Sequence, residues 1–244
     1  FIDVIIILAD DKKNSAIFLG SNLFDKFDNI SQKDVTIIFS KKLLKNDLFC
    51  SNFIFGIFLK SYSFSKYKKN KSKFKINCIN IFLDNNRKFK NIKKLNNLLQ
   101  SINFCKDLVS EPANILNPVT YANECKSLKK LGLKIKVLDL KQLEKMGMNS
   151  LLSVSLGSIN EPRVVIFEWN IKKKSKPIIL VGKGVTFDTG GISLKPSSGM
   201  EEMIFDMAGS AVVTASMMNI SLNKINKPVV GIIGLVENMP DGRA

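Results

Sequence analysis

The first half of the chain alternates short apolar runs with polar, lysine-rich connections. Runs of this length bounded by turn-forming residues predict β-strands. The predicted strands are VIIILA (4–9), VTIIF (35–39), FIFGIFL (53–59) and INIFL (79–83). A basic, turn-prone connection, SYSFSKYKKNKSKFK (61–75), separates the last two, and residues 85–95 are a candidate linker or helix start.

Apolar positions between residues 93 and 109 recur at helical spacing. They are Leu95, Leu98, Leu99, Ile102, Phe104, Cys105 and Leu108. The pattern predicts a helix over 93–110 that connects two domains. The first would be a smaller, basic α/β domain of residues 1–92, and the second would comprise residues 111–244.

The second half alternates predicted helices and strands more regularly. Asn117-Pro118 opens a predicted helix that ends at Gly132. Strands are predicted at 133–139, 163–170, 177–182 and 228–236, and helices at 139–146 and 205–222. This alternation predicts an α/β fold with a mixed, largely parallel sheet.

Composition indicates a globular protein. The chain has 244 residues, of which 45% are hydrophobic and 24% charged. No apolar run approaches the roughly 20 residues needed to span a bilayer, so no membrane segment is expected. The opening FIDVIIILAD has no preceding basic region and is interpreted as a strand rather than a signal peptide.

Cysteine and histidine usage narrows the classes of chemistry. Four widely spaced cysteines form no CxxC pair, which indicates reduced thiols and a cytoplasmic location; they are Cys50, Cys78, Cys105 and Cys125. The sequence contains no histidine. Ser-His-Asp and Cys-His catalysis and histidine-containing zinc sites are therefore excluded for these residues.

Positive charge is concentrated in one segment. The formal net charge is +16, and residues 41–106 alone contribute +14. Such a segment is compatible with nucleic-acid binding through phosphate. However, 34 of the 37 basic residues are lysine, whereas sequence-specific readers favour arginine. A solvated basic face is the favoured interpretation, and nonspecific nucleic-acid binding stays as the alternative.

The segment VGKGVTFDTGGISLKPSSGMEEMIFDMAG (181–209) holds the candidate chemistry. An apolar strand leads into a glycine-rich loop, which in open α/β sheets is where ligands bind. The phosphate-binding patterns GxxxxGK[ST] and GxGxxG are absent. The other interpretation is a metal site of Asp188 and Asp206, with Lys183 and Lys195 as ligand or electrostatic catalyst.

This segment closely resembles the metal-site signature of the leucyl aminopeptidase (cytosol aminopeptidase) family. KDLVSEPANILNPVTYA (106–122) resembles the family's entry to its catalytic domain, and VENMPDGRA (236–244) its ENMP-x-GRA turn. FGIFLKSYSFSKYKKNK (55–71) is similar to a basic stretch of the family's amino-terminal domain. Residues 111–244 would then be part of a metallopeptidase domain.

The resemblance implies a role for each site residue. Lys183 would bind metal through its neutral amine, Asp188 would bridge two metals, and Asp206 would bind the metal that takes the substrate's amino group. Lys195 would stabilise the oxyanion formed when a metal-bound hydroxide attacks the peptide. Met203 would line the pocket for the substrate's first side chain, or would be an ordinary core methionine.

The resemblance also implies a whole-protein function. It implies two divalent ions, manganese or zinc, a homohexamer, and the release of amino-terminal residues, preferentially leucine, from peptides. The family completes its site with an NTDAEGR motif, and this sequence ends at Ala244 before that motif. The expectation is a fragment of an active enzyme; the alternative is a truncated, inactive protein.

Overall fold

The structure is a computed structural model that describes residues 15–27, 34–69, 78–82, 89–172, 174 and 176–241. It divides into two compact units, residues 1–99 and 100–244, and each is described by itself. The predicted strand at 4–9 lies outside the described residues. The domain limits at 92/93 and 110/111 stay a prediction.

The first unit contains helices and a pair of parallel strands. In chain order its elements are α1 (Ala16–Lys26), β1 (Asp34–Ile38), α2 (Lys41–Leu44), α3 (Asp47–Lys60) and β2 (Cys78–Phe82). β1 and β2 pair in parallel, with Asp34 opposite Cys78 and Ile38 opposite Phe82. Helix α4 (Ile92–Ser110) agrees with the helix predicted at 93–110 and runs through the division between the units.

The strand predicted at 53–59 is wrong, because these residues form the second half of α3. A continuous apolar run fits a buried strand and a buried helix equally well, and only context separates them. Here the Asn46 side chain accepts the backbone N–H of Phe49 and caps the helix. The run is apolar throughout because most of it is buried.

Two glycines let α1 and α3 pack at backbone contact. A Cβ atom at Gly20 would lie 1.9 Å from the carbonyl oxygen of Phe53, and one at Gly56 would lie 2.0 Å from that of Ile17. Each helix therefore contributes one glycine to the crossing. No side chain at either position fits without separating the helices.

The second unit carries the candidate site. After α4 its elements are α5 (Pro118–Ser127), β3 (Lys134–Leu138), α6 (Leu140–Lys145), α7 (Asn149–Ser155), β4 (Arg163–Trp169), β5 (Ile178–Asp188), α8 (Ala208–Leu222) and β6 (Val229–Asn238). Short 3-10 turns cover Leu128–Leu131 and Met200–Phe205. All helices and strands predicted after residue 110 are present, and α7 is an addition to them.

The sheet of this unit has the order β3-β4-β6-β5. β5 and β6 pair in parallel, whereas the pairs β3–β4 and β4–β6 are antiparallel. The predicted mixed α/β fold is confirmed, and the parallel part of the described sheet is the β5–β6 pair. Helices α5 and α8 pack on one face of the sheet, and α6 and α7 pack on the other.

One helical stretch of the described residues, Met200–Leu222, is long and apolar enough to cross a membrane by length and composition alone. It consists of a 3-10 turn followed by α8. Ala211, Val213 and Met217 of α8 pack into the core against the sheet. We therefore interpret the stretch as a core helix.

Candidate functional site

The candidate site lies at the carboxyl ends of β5 and β6, where ligands bind in open α/β sheets. β5 contributes Lys183 and Asp188, and the loop that follows it contributes Lys195. The 3-10 turn Met200–Phe205 leads to Asp206, just before α8. These four residues and Met203, the fifth site residue predicted from the sequence, thus all belong to one strand and the segment that directly follows it.

Lys183 and Asp206 form an ion pair. The Nζ atom of Lys183 lies 2.5 Å from Oδ1 and 2.6 Å from Oδ2 of Asp206. The lysine side chain is 59% exposed and the aspartate 22%, so this pair opens to solvent. Both side chains are therefore accessible to a ligand from outside.

Close packing of α8 on β5 brings this pair together. A Cβ atom at Gly182 would lie 2.6 Å from the carbonyl oxygen of Gly209, and one at Gly184 would lie 3.1 Å from Oγ of Ser210. Because these two positions of β5 have no side chain, the first turn of α8 can pack directly against the strand. Asp206 directly precedes this turn and is placed beside Lys183.

An irregularity in β5 sets the direction of the Asp188 side chain. Lys183 and Asp188 are five residues apart, and in a regular strand an odd separation places side chains on opposite faces. The register shifts between Val185 and Asp188, as in a β-bulge. Their partners on β6, Gly234 and Asn238, are four residues apart, so the extra residue returns Asp188 to the face of Lys183.

Asp188 is the most heavily hydrogen-bonded carboxylate of the site. Its Oδ1 accepts hydrogen bonds from Nδ2 of Asn238 at 2.7 Å and from the backbone N–H of Gly190 at 3.0 Å. Its Oδ2 accepts a hydrogen bond from Nζ of Lys195 at 2.7 Å. Burial alone would raise the pKa of Asp188, but the bonds from Lys195, Asn238 and Gly190 outweigh it and lower the pKa to about 2. The side chain is therefore ionised at neutral pH.

The loop after β5 turns back to place Lys195. The backbone N–H of Lys195 donates to the carbonyl of Thr189 at 2.9 Å. Gly190 has a φ of 92°, in the left-handed region, and a Cβ there would lie 2.4 Å from the carbonyl oxygen of Ser193. Nζ of Lys195 also lies 3.1 Å from Sδ of Met203, so the structure places Met203 beside this lysine.

Two residues at the end of β6 were missed by sequence reasoning. Asn238 contacts Asp188, and the nearly buried Glu237 accepts bonds from Ser158 at 2.5 Å and from Asn160 at 2.9 Å. The signal in the sequence that could have found them is the ENMP stretch, which lies at the end of β6. Because β6 is parallel to β5, the two strands end at the same edge of the sheet. Glu237 is part of the ENMP stretch, and the sequence alone indicates no hydrogen-bond partner for it.

The described residues offer few side chains that could hold a metal ion. These residues contain no group of three or more His, Cys, Asp or Glu residues that could hold an ion. The donors at the end of β5 are two carboxylates and one amine, joined by hydrogen bonds into the pairs Lys183–Asp206 and Asp188–Lys195. Carboxylates suit divalent ions, and a lysine can bind one only as the neutral amine. These donors alone are too few to enclose a metal ion.

Comparison with family models gives a match over residues 103–244 to the catalytic domain of the cytosol aminopeptidase family. Two similar proteins are named probable cytosol aminopeptidases. The one from Chelativorans sp. (strain BNC1) is 45% identical over 204 residues, which cover 80% of this chain and 40% of the relative. The one from Brucella suis biovar 1 (strain 1330) is 40% identical over 233 residues, covering 93% and 47%.

Among solved structures, the chain is similar to the bottromycin maturation enzyme BotP in complex with Mn. The TM-score is 0.81 at 25% sequence identity, and the match covers 95% of this chain and 50% of BotP. The chain spans about half the length of the curated relatives it matches. The match to the family model, over residues 103–244, includes the whole segment 181–209.

Proposed function

The chain belongs to the cytosol aminopeptidase family, and from this premise we propose that the whole protein is a metal-dependent aminopeptidase. It releases amino-terminal residues, preferentially leucine, from peptides. The observation that carries the proposal is the arrangement of Lys183, Asp188, Lys195 and Asp206 at the carboxyl end of β5. This pattern of an amine, two carboxylates and a further lysine fits the family's metal-site signature.

In this proposal Lys183, Asp188 and Asp206 would be ligands of two divalent ions, manganese or zinc. When bound, the ions would supply an activated water and polarise the peptide carbonyl. Two carboxylates and one amine are too few for two ions, so this proposal requires further ligands. Manganese is supported by the solved structure of BotP, which is a complex with Mn.

Lys195 is proposed to stabilise the oxyanion that forms on the peptide carbonyl. Its side chain remains partly exposed, with 38% of it accessible, so a ligand can reach it from solvent. Asp188 and Met203 hold its Nζ in place from two sides. A positioned charge of this kind is worth more than a mobile one, because no reorganisation is needed during the reaction.

Several finer properties follow from the family and belong to the same proposal. Met203 lines the pocket for the substrate's first side chain. The protein is located in the cytoplasm, as the name of its relatives suggests, and it assembles as a homohexamer, as the family resemblance implies. Residues 1–92 form a small basic domain, 93–110 a connecting helix, and 111–244 the first part of the catalytic domain.

The test is to replace two proposed ligands in the full-length protein. We expect Lys183→Ala and Asp188→Ala to abolish manganese-dependent hydrolysis of leucine p-nitroanilide while the circular dichroism spectrum is unchanged. Lys136→Ala is the matched control, since Lys136 is an exposed lysine on β3 of the same sheet. Near-normal turnover in either ligand variant would show that the metal-ligand assignment is wrong.

A further inference from the structure

The end of β6 places an amide group directly against the candidate metal ligand Asp188. Nδ2 of Asn238 lies 2.7 Å from Oδ1 of Asp188. The two residues are opposite each other in the parallel pairing of β5 and β6. They are fifty residues apart in the chain, so the contact is a product of the fold.

Chemistry fixes which end of the amide faces Asp188. An ionised carboxylate only accepts hydrogen bonds, so the NH2 group of Asn238 must point toward it. The amide oxygen then points toward Gly191, where a Cβ atom would lie 2.7 Å from it. Gly191 has a φ of 68°, in the left-handed region, so its missing side chain serves both the turn and the amide.

Backbone contacts hold Asn238 in place. Its carbonyl oxygen accepts the backbone N–H of Thr189 at 3.0 Å and the hydroxyl of Thr189 at 2.8 Å. The preceding residue, Glu237, is fastened by Ser158 and Asn160. The donor that meets Asp188 is thus mounted on a strand end that is anchored on both sides.

We propose that Asn238 is a positioning residue that fixes the orientation of the Asp188 carboxylate for metal binding. The Asn238 amide and the Gly190 N–H both donate to Oδ1, and Nζ of Lys195 donates to Oδ2. Asn238 is thus the one side chain among these donors that fixes Oδ1, and without it only the Gly190 N–H restrains that oxygen. Partners of this kind orient metal ligands, and their removal costs about 10- to 100-fold in metal affinity or activity. The proposal rests on the proposed function, because it takes Asp188 as a metal ligand.

The experiment compares two substitutions in the full-length protein. Asn238→Leu keeps the shape of the side chain and removes the donor, whereas Asn238→Ala removes both. Asn223→Leu is the matched control, since it also removes an amide donor, but at the end of α8 remote from Asp206. Binding of MnCl2 is measured by electron paramagnetic resonance of the free ion, together with kcat and KM for a leucine substrate.

We expect both Asn238 variants to bind Mn2+ about 10- to 100-fold more weakly and to lose kcat rather than KM. The control should lose thermal stability and retain its Mn2+ affinity. A role in packing alone predicts instead that the leucine variant behaves like wild type and only the alanine variant is impaired. That result would overturn the proposal.

A metal-free readout separates this proposal from the proposed function. In a metal-free crystal structure of Asn238→Leu, we expect the Asp188 carboxylate to rotate away from its direction in the wild type. An unchanged carboxylate would contradict the positioning role even in a protein that cleaves no peptide. If the wild-type protein binds Mn2+ but has no peptidase activity, the proposed function is refuted. The role of Asn238 is then still tested by the Mn2+ titration and the crystal structure.

Discussion

Replacement of Gly182 by alanine tests whether close packing of α8 on β5 creates the site. The new Cβ would lie 2.6 Å from the carbonyl oxygen of Gly209 and 2.7 Å from Cα of Ser210, both of which are backbone atoms. Contacts between carbon atoms are optimal at about 3.5–4.0 Å. Because no side chain can rotate to make room, α8 has to move away from β5 by roughly 1 Å.

This displacement should affect both stability and activity. Overpacking in a core costs about 1–3 kcal/mol of the free energy of unfolding. Asp206 directly precedes α8 and would move with it, so its distance from Lys183 would increase. A misplacement of about 1 Å can reduce the rate of an enzyme about 100-fold.

The assay is urea unfolding followed by circular dichroism, combined with kcat/KM for leucine p-nitroanilide in the full-length protein. Gly147→Ala is the control, because Gly147 also lies in the second unit and a Cβ there meets nothing within 4 Å. Its φ of 65° should cost about 1–2 kcal/mol and leave kcat/KM unchanged. If Gly182→Ala has wild-type stability and activity, the packing argument is refuted.

Three further predictions concern other parts of the molecule. Gly56→Ala should lower the urea midpoint of the first unit and expose it to limited proteolysis, because its Cβ would lie 2.0 Å from a carbonyl oxygen of α1; a wild-type midpoint would contradict this. Burial raises the pKa of the Cys125 thiol to about 12. Iodoacetamide at pH 8 should therefore label the exposed Cys78 and leave Cys125 unmodified until urea unfolds the protein, and mass spectrometry measures both modifications. The pKa of Asp188 is lowered from 3.8 to about 2, so in the presence of chelator its contribution to stability should be complete above about pH 4 and lost as the pH falls through 2. Asp188→Asn should remove this pH-dependent part of the acid unfolding curve, and an unchanged curve would refute the pairing with Lys195.

Local signals in the sequence predicted the helices and strands of the second unit. Asn117 caps α5 by accepting the backbone N–H groups of Val119 and Thr120. Gly132 ends the following 3-10 turn with a φ of 89°. These features depend on neighbouring residues only, so a sequence contains them completely.

Features that depend on tertiary contacts were not accessible in this way. The apolar run at 53–59 is helical in a core that it shares with residues of α1 and β1, and apolar character alone does not distinguish a buried helix from a buried strand. The contact of Asn238 with Asp188 requires the parallel pairing of β5 and β6. The resemblance supplied the site residues; their pairing as Lys183–Asp206 and Lys195–Asp188 came from the structure.

The extra residue in β5 has a consequence for how this segment tolerates insertions and deletions. Side chains alternate along a strand, so the number of residues between Lys183 and Asp188 decides on which side of the sheet the carboxylate emerges. Deletion of one residue between them would leave a regular strand in which an even separation keeps the carboxylate on the side of the amine. Insertion of one residue into β6 between Gly234 and Asn238 would also make the pairing regular, but it would turn the carboxylate away from the amine. A redesign that keeps the five-residue separation therefore has to preserve the bulge, whereas one that removes the extra residue can dispense with it.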